Sequence, residues 1–344
     1  MDYKIVKHAL VFKRPGGTSR GILHKKETYF LFAIQEGEYK GVAECPLFRG
    51  LSADDTPNFE EQLKHAFDLW QNQKYDPVAW EDYPSIRFGI EQLERSIAAQ
   101  HPFEIYPSDF TDGQKKIPIN GLIWMGDLDF MQNQIDDKLA NGFDCIKLKI
   151  GALDFDSEWN LIQKLRSRYH SSDLTIRVDA NGAFEVGEAL RKLERLAELE
   201  IHSIEQPIQA GQWEEMQLLC QKTPLPIALD EELIGIHKPA EKAAVLDQIK
   251  PQFIILKPGL LGGFKSSESW IELAQQSNIG WWVTSALESN IGLNAIAQWT
   301  ATLPAVGHQG LGTGGLFTNN PFGFLEVKNG YLEHHKLGPW TFKV

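Results

Sequence analysis

The sequence predicts an α/β protein in which a parallel barrel of the (β/α)8 type follows an α+β region, and three observations support this class. From about residue 117 onward, eight short apolar runs alternate with helix-like segments. Strands that alternate with helices form parallel sheets, and eight of them are the number that closes a barrel. A polar residue stands near the carboxyl end of each run, at spacings of 25 to 30 residues, close to the roughly 31 residues per unit of a typical barrel.

In the first hundred residues, strand-like and helical patterns are mixed and do not alternate regularly. Residues 27–46, ETYFLFAIQEGEYKGVAECP, alternate and turn like two strands of a hairpin. Residues 58–73 and 85–100 have helical spacing. The segment 13–23, KRPGGTSRGIL, is rich in Gly, Pro and basic residues and predicts a mobile loop.

A domain boundary is predicted where periodicity is lost. Residues 101–116, HPFEIYPSDFTDGQKK, contain turn formers and no repeating apolar pattern. We therefore predict an α+β domain over residues 1–110 and a barrel domain over residues 111–320.

Composition excludes several classes of function. The 42% hydrophobic and 23% charged content is that of an ordinary globular protein, and no apolar run approaches the roughly 20 residues of a membrane span. The start MDYKIVKHAL is unlike a signal peptide. A net charge of -12 disfavours nucleic acid and anionic membranes as partners. Cys45, Cys145 and Cys220 are odd in number and far apart, so we expect a cytoplasmic protein without disulfides, of unspecified oligomeric state.

Two lysines in one predicted strand need an explanation. Lys147 and Lys149, in CIKLKIG at 145–151, are two residues apart, so their side chains project from the same face. Burying an unpaired ammonium is costly, and two together repel each other. We therefore expect negative charge opposite them.

The following strands supply that charge. In a barrel of this type the active site lies at the carboxyl ends of the strands, where the next three predicted strands end in Asp179, Glu205 and Asp230. Three converging carboxylates repel one another unless a cation lies between them. Hard oxygen ligands suit Mg²⁺, with Mn²⁺ as a substitute. Lys257 closes the next strand and flanks this cluster from the side opposite Lys149.

A metal ion at this place would give the lysines a function. A divalent cation and a second lysine both disfavour the ammonium form, so we expect the pKa values of Lys147 and Lys149 to fall toward neutrality. A metal beside a lysine base suits removal of a proton α to a carboxylate. Each motif alone has an ordinary explanation, such as a turn residue for Asp179 or a snorkelling surface lysine for Lys257. The occurrence of one such residue per strand is the specific signal.

The combined motifs resemble the enolase superfamily, in its muconate-lactonizing-type branch. They are the K-x-K at 147–149, DANG at 179–182, IEQP at 204–207, DEE at 230–232 and KPGLLGG at 257–263. The resemblance covers nearly the whole chain and implies an enolase-like fold, an α+β capping domain plus a modified (β/α)7β barrel. It implies that 321–344 completes the capping domain and that GVAECPLFRGLS, 41–52, faces the substrate.

The same resemblance implies roles for individual residues. Asp179, Glu205 and Asp230 would be the Mg²⁺ ligands, Lys149 the acid/base, and Lys257 its counterpart on the opposite face. Residues 283–299 and 308–317 resemble the members of the branch that dehydrate 2-succinyl-6-hydroxy-2,4-cyclohexadiene-1-carboxylate to 2-succinylbenzoate in menaquinone synthesis. Dipeptide epimerases of the branch carry Asp-x-Asp after the eighth strand, where this chain reads LGTGG.

Supporting and substrate-binding roles are predicted for Lys147, Arg177, Asn181, Ser285, Ser289 and Gly312. Arg177 shares a strand face with Asp179 and is expected to steady its carboxylate. The glycines of GLGTGG, 310–315, could hold a substrate carboxylate through backbone N–H groups or form plain turns. Ser285 and Ser289 could bind a carboxylate or cap the next helix. Arg14 and Arg20 could belong to a lid or to a disordered surface loop.

Two alternatives stay open at this point. An N-acylamino acid racemase would use Lys149 and Lys257 as two acid/bases, one on each face of a small-molecule carboxylate. A non-catalytic binding protein on a barrel scaffold would be expected to lack a metal ligand or a catalytic lysine. All five of these residues are present in the sequence: Asp179, Glu205, Asp230, Lys149 and Lys257.

Overall fold

The computed structural model describes residues 1–18, 21–321 and 323–335. It begins with an antiparallel sheet of order β1-β2-β3, formed by β1 (Asp2–Thr18), β2 (Gly21–Gln35) and β3 (Glu38–Cys45). Helices α1 (Phe59–Gln71) and α2 (Pro84–Ala98) follow. One face of the sheet packs on these helices through a buried cluster that includes Tyr29, Leu31, Ala43, Phe59, Leu63 and Leu93, because alternate strand residues point to the same face.

Residues 13–18 and 21–23 form strand rather than the loop that the composition of 13–23 predicts, and residues 19–20 of that segment lie outside the described residues. β1 and β2 stay paired up to Thr18 and Gly21, with a register shift between Val11 and Gly16. A Cβ on Gly17 would lie 2.5 Å from the carbonyl oxygen of Met125, so the glycine permits close backbone packing on the barrel. The Gly and Pro residues therefore accompany a β-bulge and a close contact.

Seven parallel strands curl into the barrel in the order of the chain. They are β5 (Gly121–Ile123), β6 (Cys145–Lys149), β7 (Thr175–Asp179), β8 (Ser203–Glu205), β9 (Ile227–Leu229), β10 (Phe253–Leu256) and β11 (Gly280–Val283).

The predicted eighth strand is reduced to isolated parallel bridges. Gln309 pairs with Ile119, and Gly310 pairs with Thr284. The Gln309 N–H donates to Pro118 O and the Gly310 N–H to Val283 O, each at 2.8 Å. These bonds close the ring between its first and last strands, and the glycine-rich sequence has little propensity for a longer strand.

Helices surround the barrel at the predicted alternation. They are α3 (Leu128–Ala140), α4 (Phe155–Arg168), α5 (Val186–Ala197), α6 (Trp213–Lys222), α7 (Pro239–Ile249), α8 (Pro258–Leu261), α9 (Phe264–Gln276) and α10 (Asn290–Thr302). Asp127, Asp154 and Ser289 cap α3, α4 and α10 through their side chains. In the described parts of the chain no helix has the length and apolarity needed to cross a membrane.

The C-terminal stretch contacts both parts of the molecule. β12 (Leu325–Lys328) and β13 (Tyr331–His334) form a hairpin, and β13 pairs with β4 (Ile117–Pro118) just before the barrel. Phe324 packs in a cluster with Phe30 and Phe32 of the first sheet. The domain boundaries at residues 110 and 320 stay a prediction.

Candidate active site

The parallel register places the acids and lysines in one row at the carboxyl ends of the strands. Lys149 is paired with Asp179, and Asp179 is paired with Glu205. Asp230 and Lys257 directly follow the last residues of β9 and β10. Because strands pair in register, residues spaced by whole βα units in the sequence become neighbours across the mouth of the barrel.

The two lysines of β6 are neutralised by direct contact with these acids. Lys147 Nζ donates to Asp179 Oδ2 at 3.1 Å and to Glu205 Oε2 at 2.6 Å. Lys149 Nζ donates to the same Asp179 oxygen at 3.0 Å and to Asn181 Oδ1 at 2.6 Å. The lysines are therefore tolerated at this depth because Asp179 contacts both of them.

The pKa of Lys147 is shifted opposite to the prediction. Burial lowers the pKa of its ammonium, but the carboxylates of Asp179 and Glu205 outweigh burial and raise the pKa above its ordinary value. The prediction considered only the second lysine and a metal ion, both of which lower the pKa. It did not include the hydrogen bonds to two carboxylates, which favour the charged form of Lys147. For Asp179, burial raises the pKa, but Lys147 and Lys149 lower it well below its usual range.

Lys257 approaches the same cluster from the other side. Its Nζ donates to Asp230 Oδ2 and lies 3.8 Å from Glu205 Oε1. Burial lowers the pKa of Lys257, but Asp230 and Glu205 raise it by more, so the net shift is upward. Lysines thus flank the three carboxylates on both sides, as the strand order predicts.

The acidic side chains fit a hard divalent cation. Asp179, Glu205 and Asp230 supply oxygen ligands of the kind that Mg²⁺ binds. Glu205 Oε1 is buried and accepts no hydrogen bond from the described residues, and such an atom would be satisfied by a cation. As the side chains stand, the lysines donate to Asp179 Oδ2, Glu205 Oε2 and Asp230 Oδ2, and Asn181 N donates to Asp179 Oδ1. No group of three or more Asp, Glu, His or Cys residues in the described chain is arranged to hold a metal ion. Assembly of the ligand set would therefore require Lys147, Lys149 and Lys257 to release these oxygens.

Arg177 has other partners than the expected Asp179. Its Nη1 donates to His308 O at 2.9 Å, and its guanidinium lies 4.0 Å from the ring centroid of Trp282. Lys147, which is paired with Arg177 on the neighbouring strand, contacts Asp179 instead, and the guanidinium is directed to Trp282 and His308. Arg177 fills the barrel interior one layer away from the carboxylates.

A cavity opens over the lysines at the barrel mouth. Its polar lining includes Lys149, Asn181, Lys257, Ser285 and Gly312, and its apolar lining includes Phe48, Leu51, Trp124 and Leu287. Phe48 and Leu51 come from the segment 41–52, which therefore faces the site. Arg14 lines an adjacent cavity, and Arg20 lies outside the described residues.

The two serines after β11 have separate environments. Ser289 caps α10 by accepting from Ile291 N and donates its hydroxyl to Glu44 Oε2 at 2.6 Å, so the cap is its observed role. Ser285 lines the cavity, and its hydroxyl donates to Glu288 Oε2 at 2.6 Å.

Glu44 and Glu288 are buried residues that sequence reasoning missed. Both lie next to the site, where Glu288 accepts from Ser285 and Glu44 accepts from Ser289. A signal for Glu44 was present, because it is a charged residue within the otherwise apolar stretch GVAEC at 41–45, all of which is buried. Glu288 sits in a loop, where periodicity gives no information about burial.

The fold and this site define an enolase-type barrel with lysines and carboxylates at the strand ends. Residues 131–338 match the family model described as enolase C-terminal domain-like. The o-succinylbenzoate synthase of Desulfotalea psychrophila (strain LSv54) is 45% identical over 96% of this chain and 98% of its own. The crystal structure of MenC from D. psychrophila LSv54 is 41% identical, with a TM-score of 0.83 over 97% of this chain and 99% of that one. The dipeptide epimerase of Cytophaga hutchinsonii, solved with Mg and D-Ala-L-Val, shares the fold at 21% identity, with a TM-score of 0.80 over 98% of this chain and 95% of that one.

The chain belongs to the enolase superfamily and, within it, to the family of o-succinylbenzoate synthases. It is accordingly an enzyme of the lyase class. The predicted fold class and family resemblance are both confirmed.

Proposed function

We propose that this chain dehydrates 2-succinyl-6-hydroxy-2,4-cyclohexadiene-1-carboxylate to 2-succinylbenzoate, with Mg²⁺ as cofactor and Mn²⁺ as a substitute. The observation that carries the proposal is the position of Lys149, whose Nζ lines the cavity while Asp179 and Asn181 hold it. The 45% identity with a relative of that name supports the choice of substrate.

Lys149 is the proposed acid/base. As a neutral amine, its Nζ takes the ring proton α to the carboxylate. The ammonium that results is stabilised by Asp179 Oδ2 and Asn181 Oδ1, the acceptors that contact Nζ in the structure. It then donates its proton to the departing hydroxide. Breaking the C–H and C–O bonds releases the proton and the hydroxide as one water molecule and leaves an aromatic ring.

The other side chains stabilise the charge that develops. Mg²⁺ held by Asp179, Glu205 and Asp230 would supply positive charge for the enediolate of the substrate carboxylate. Lys257 lines the cavity from β10, across the mouth from Lys149. A protonated Lys257 stabilises the anionic ring without transferring a proton.

An N-acylamino acid racemase is the second candidate, and one observation favours it. Lys149 and Lys257 line the same cavity from strands that are four apart in the sheet order. Two lysines facing one α-carbon from opposite sides could remove a proton on one face and return it on the other. Both candidates take a small carboxylate as substrate.

The test follows the cyclohexadiene carboxylate by ultraviolet absorbance. We expect conversion to the aromatic product with Mg²⁺, none after EDTA treatment, and restored conversion when Mg²⁺ is added back. Lys149→Ala should abolish turnover while its circular dichroism spectrum matches that of the parent enzyme. A fully active Lys149→Ala would refute the assignment of Lys149 as the acid/base, and no conversion by the folded, Mg²⁺-supplied parent would refute the synthase proposal. Racemisation of N-succinylamino acids, followed by polarimetry, would then test the second candidate.

A further inference from the structure

A second cavity adjoins the one over the lysines. The two cavities share five lining residues, Asn120, Leu122, Trp124, Gly312 and Thr313. The two cavities are therefore adjacent and are called the first and second lobe here, and a ligand that passes their shared lining would extend from the first into the second. The second lobe lies between the bulge of β1 and helix α3, which contributes Phe130, Gln134 and Lys138.

The bulge of β1 directs basic residues to this second lobe. β1 loses its register with β2 between Val11 and Gly16. Within that interval Phe12 forms a bridge with Phe317, and Lys13 N donates to Leu316 O at 2.8 Å. The bulge is thereby anchored to the loop after the eighth strand position, and Lys13 and Arg14 line the lobe. Bulges commonly redirect side chains next to active sites.

The charge of the second lobe is mainly positive. Lys13, Arg14 and Lys138 line it together with one acid, Asp137. Lys138 lies 5.1 Å from the ring centroid of Phe143, and its alkyl chain packs beside Gly121. Lys13 and Arg14 are exposed and form no ion pair with any residue in the described ranges. Two cations that have no counter-ion among the described residues therefore stand at a cavity that adjoins the one over the catalytic lysines.

We propose that the second lobe binds the terminal carboxylate of the substrate's succinyl arm, through Lys13 and Arg14. This inference rests on the proposed function, which places the ring carboxylate in the first lobe. In the first lobe Lys147, Lys149 and Lys257 already donate to Asp179, Glu205 and Asp230, so those lysine charges are matched. Lys13 and Arg14, which have no ion-pair partner among the described residues, can form charge-assisted hydrogen bonds to a second carboxylate.

The experiment compares two ligands that differ only in that carboxylate. 2-Succinylbenzoate is the product, and 2-butyrylbenzoate has a methyl group in place of the terminal carboxylate. Their inhibition constants and the kcat and KM of the substrate are measured for the parent enzyme, Arg14→Gln, the double variant Lys13→Gln/Arg14→Gln and Arg14→Lys. Lys25→Gln is the matched control, because Lys25 is an exposed residue on the paired strand that does not line either lobe.

We expect the double variant to bind 2-succinylbenzoate about tenfold more weakly or worse, since hydrogen bonds to charged groups are individually worth that much. KM should rise by a similar factor with kcat nearly unchanged, and 2-butyrylbenzoate should bind the variant and the parent equally. Arg14→Lys should retain most of the affinity. If the double variant matches Lys25→Gln for both ligands, or if the parent does not distinguish the two ligands, the inference is overturned. A parent that binds 2-succinylbenzoate selectively but does not dehydrate the substrate would refute the proposed function and leave this subsite supported.

Discussion

The hydroxyl of Ser289 lies 2.6 Å from Oε2 of Glu44 and joins α10 beside the barrel to β3 of the N-terminal sheet. Gly292 N donates to the same oxygen at 2.9 Å, and Thr28 Oγ1 donates to Glu44 Oε1 at 2.6 Å. All of these atoms belong to buried or nearly buried residues. The network therefore holds the start of segment 41–52, and with it Phe48, at a definite place over the site.

Glu44→Ala is expected to destabilise the protein by roughly 2–4 kcal/mol, because several buried donors would lose their acceptor. The free energy of unfolding from urea titration measures the loss. Glu38→Ala is the control, since Glu38 is exposed on the same strand, and it should change the free energy by less than about 0.5 kcal/mol. Equal effects of the two substitutions would contradict the structural role of Glu44.

Lys257 is expected to act through its charge. Lys257→Gln should lower kcat for dehydration by roughly 10²–10³-fold, the cost of removing a group that stabilises charge in the transition state. Lys257→Arg keeps the charge and should recover part of that loss. Steady-state kinetics on the two variants provide the test. An equal loss in both would indicate proton transfer by Lys257, as the racemase candidate requires.

Mg²⁺ is expected to stabilise the folded protein. A ligand at 100 times its Kd adds about 2.7 kcal/mol to the free energy of unfolding, so Tm should rise with Mg²⁺ concentration and fall back with EDTA. Glu205→Gln should remove the rise, because Glu205 carries the buried oxygen that lacks a hydrogen-bond donor. Glu188→Gln, on the exposed face of α5, should keep it. A rise of the same size in Glu205→Gln would place the metal elsewhere.

Asp54 is expected to make stability fall as the pH rises from about 4 to 6. Burial raises the pKa of Asp54, and hydrogen bonds from Ser85 lower it by a smaller amount, so that the resulting pKa is about 6. In this interval the Asp54 carboxyl keeps its proton in the folded state but has lost it in the unfolded state. The free energy of unfolding is therefore highest below pH 4 and decreases by roughly 3 kcal/mol by neutral pH.

Asp54→Asn has no proton to lose and should lack this component. Urea titrations of the parent and Asp54→Asn at pH 4, 5, 6 and 7 measure the difference in their free energies of unfolding. The difference should grow in favour of the variant as the pH rises. Parallel pH profiles would show that Asp54 titrates at the same pH in both states.

The residues that sequence reasoning found are those with a regular spacing. Asp179, Glu205, Asp230 and Lys257 each follow a short apolar run, so one barrel unit predicts the position of the next. The eighth strand and the described residues 13–18 and 21–23 differ from the prediction because Gly and Pro residues indicate only how much conformational freedom the backbone has. That freedom serves a turn, a bulge or a close contact equally well, and only neighbours distant in sequence decide among them.

The sequence by itself determined the fold class, the order of the strands and the row of ionisable residues at their ends, because these depend on periodicity along the chain. Only the tertiary structure decided which partners each side chain meets. Arg177 lies on Trp282 and not beside Asp179, and the pKa of Lys147 rises because two carboxylates contact its Nζ. The physical reason is that contact and electrostatic energies change over a few ångströms, a distance that residue spacing along a strand does not specify.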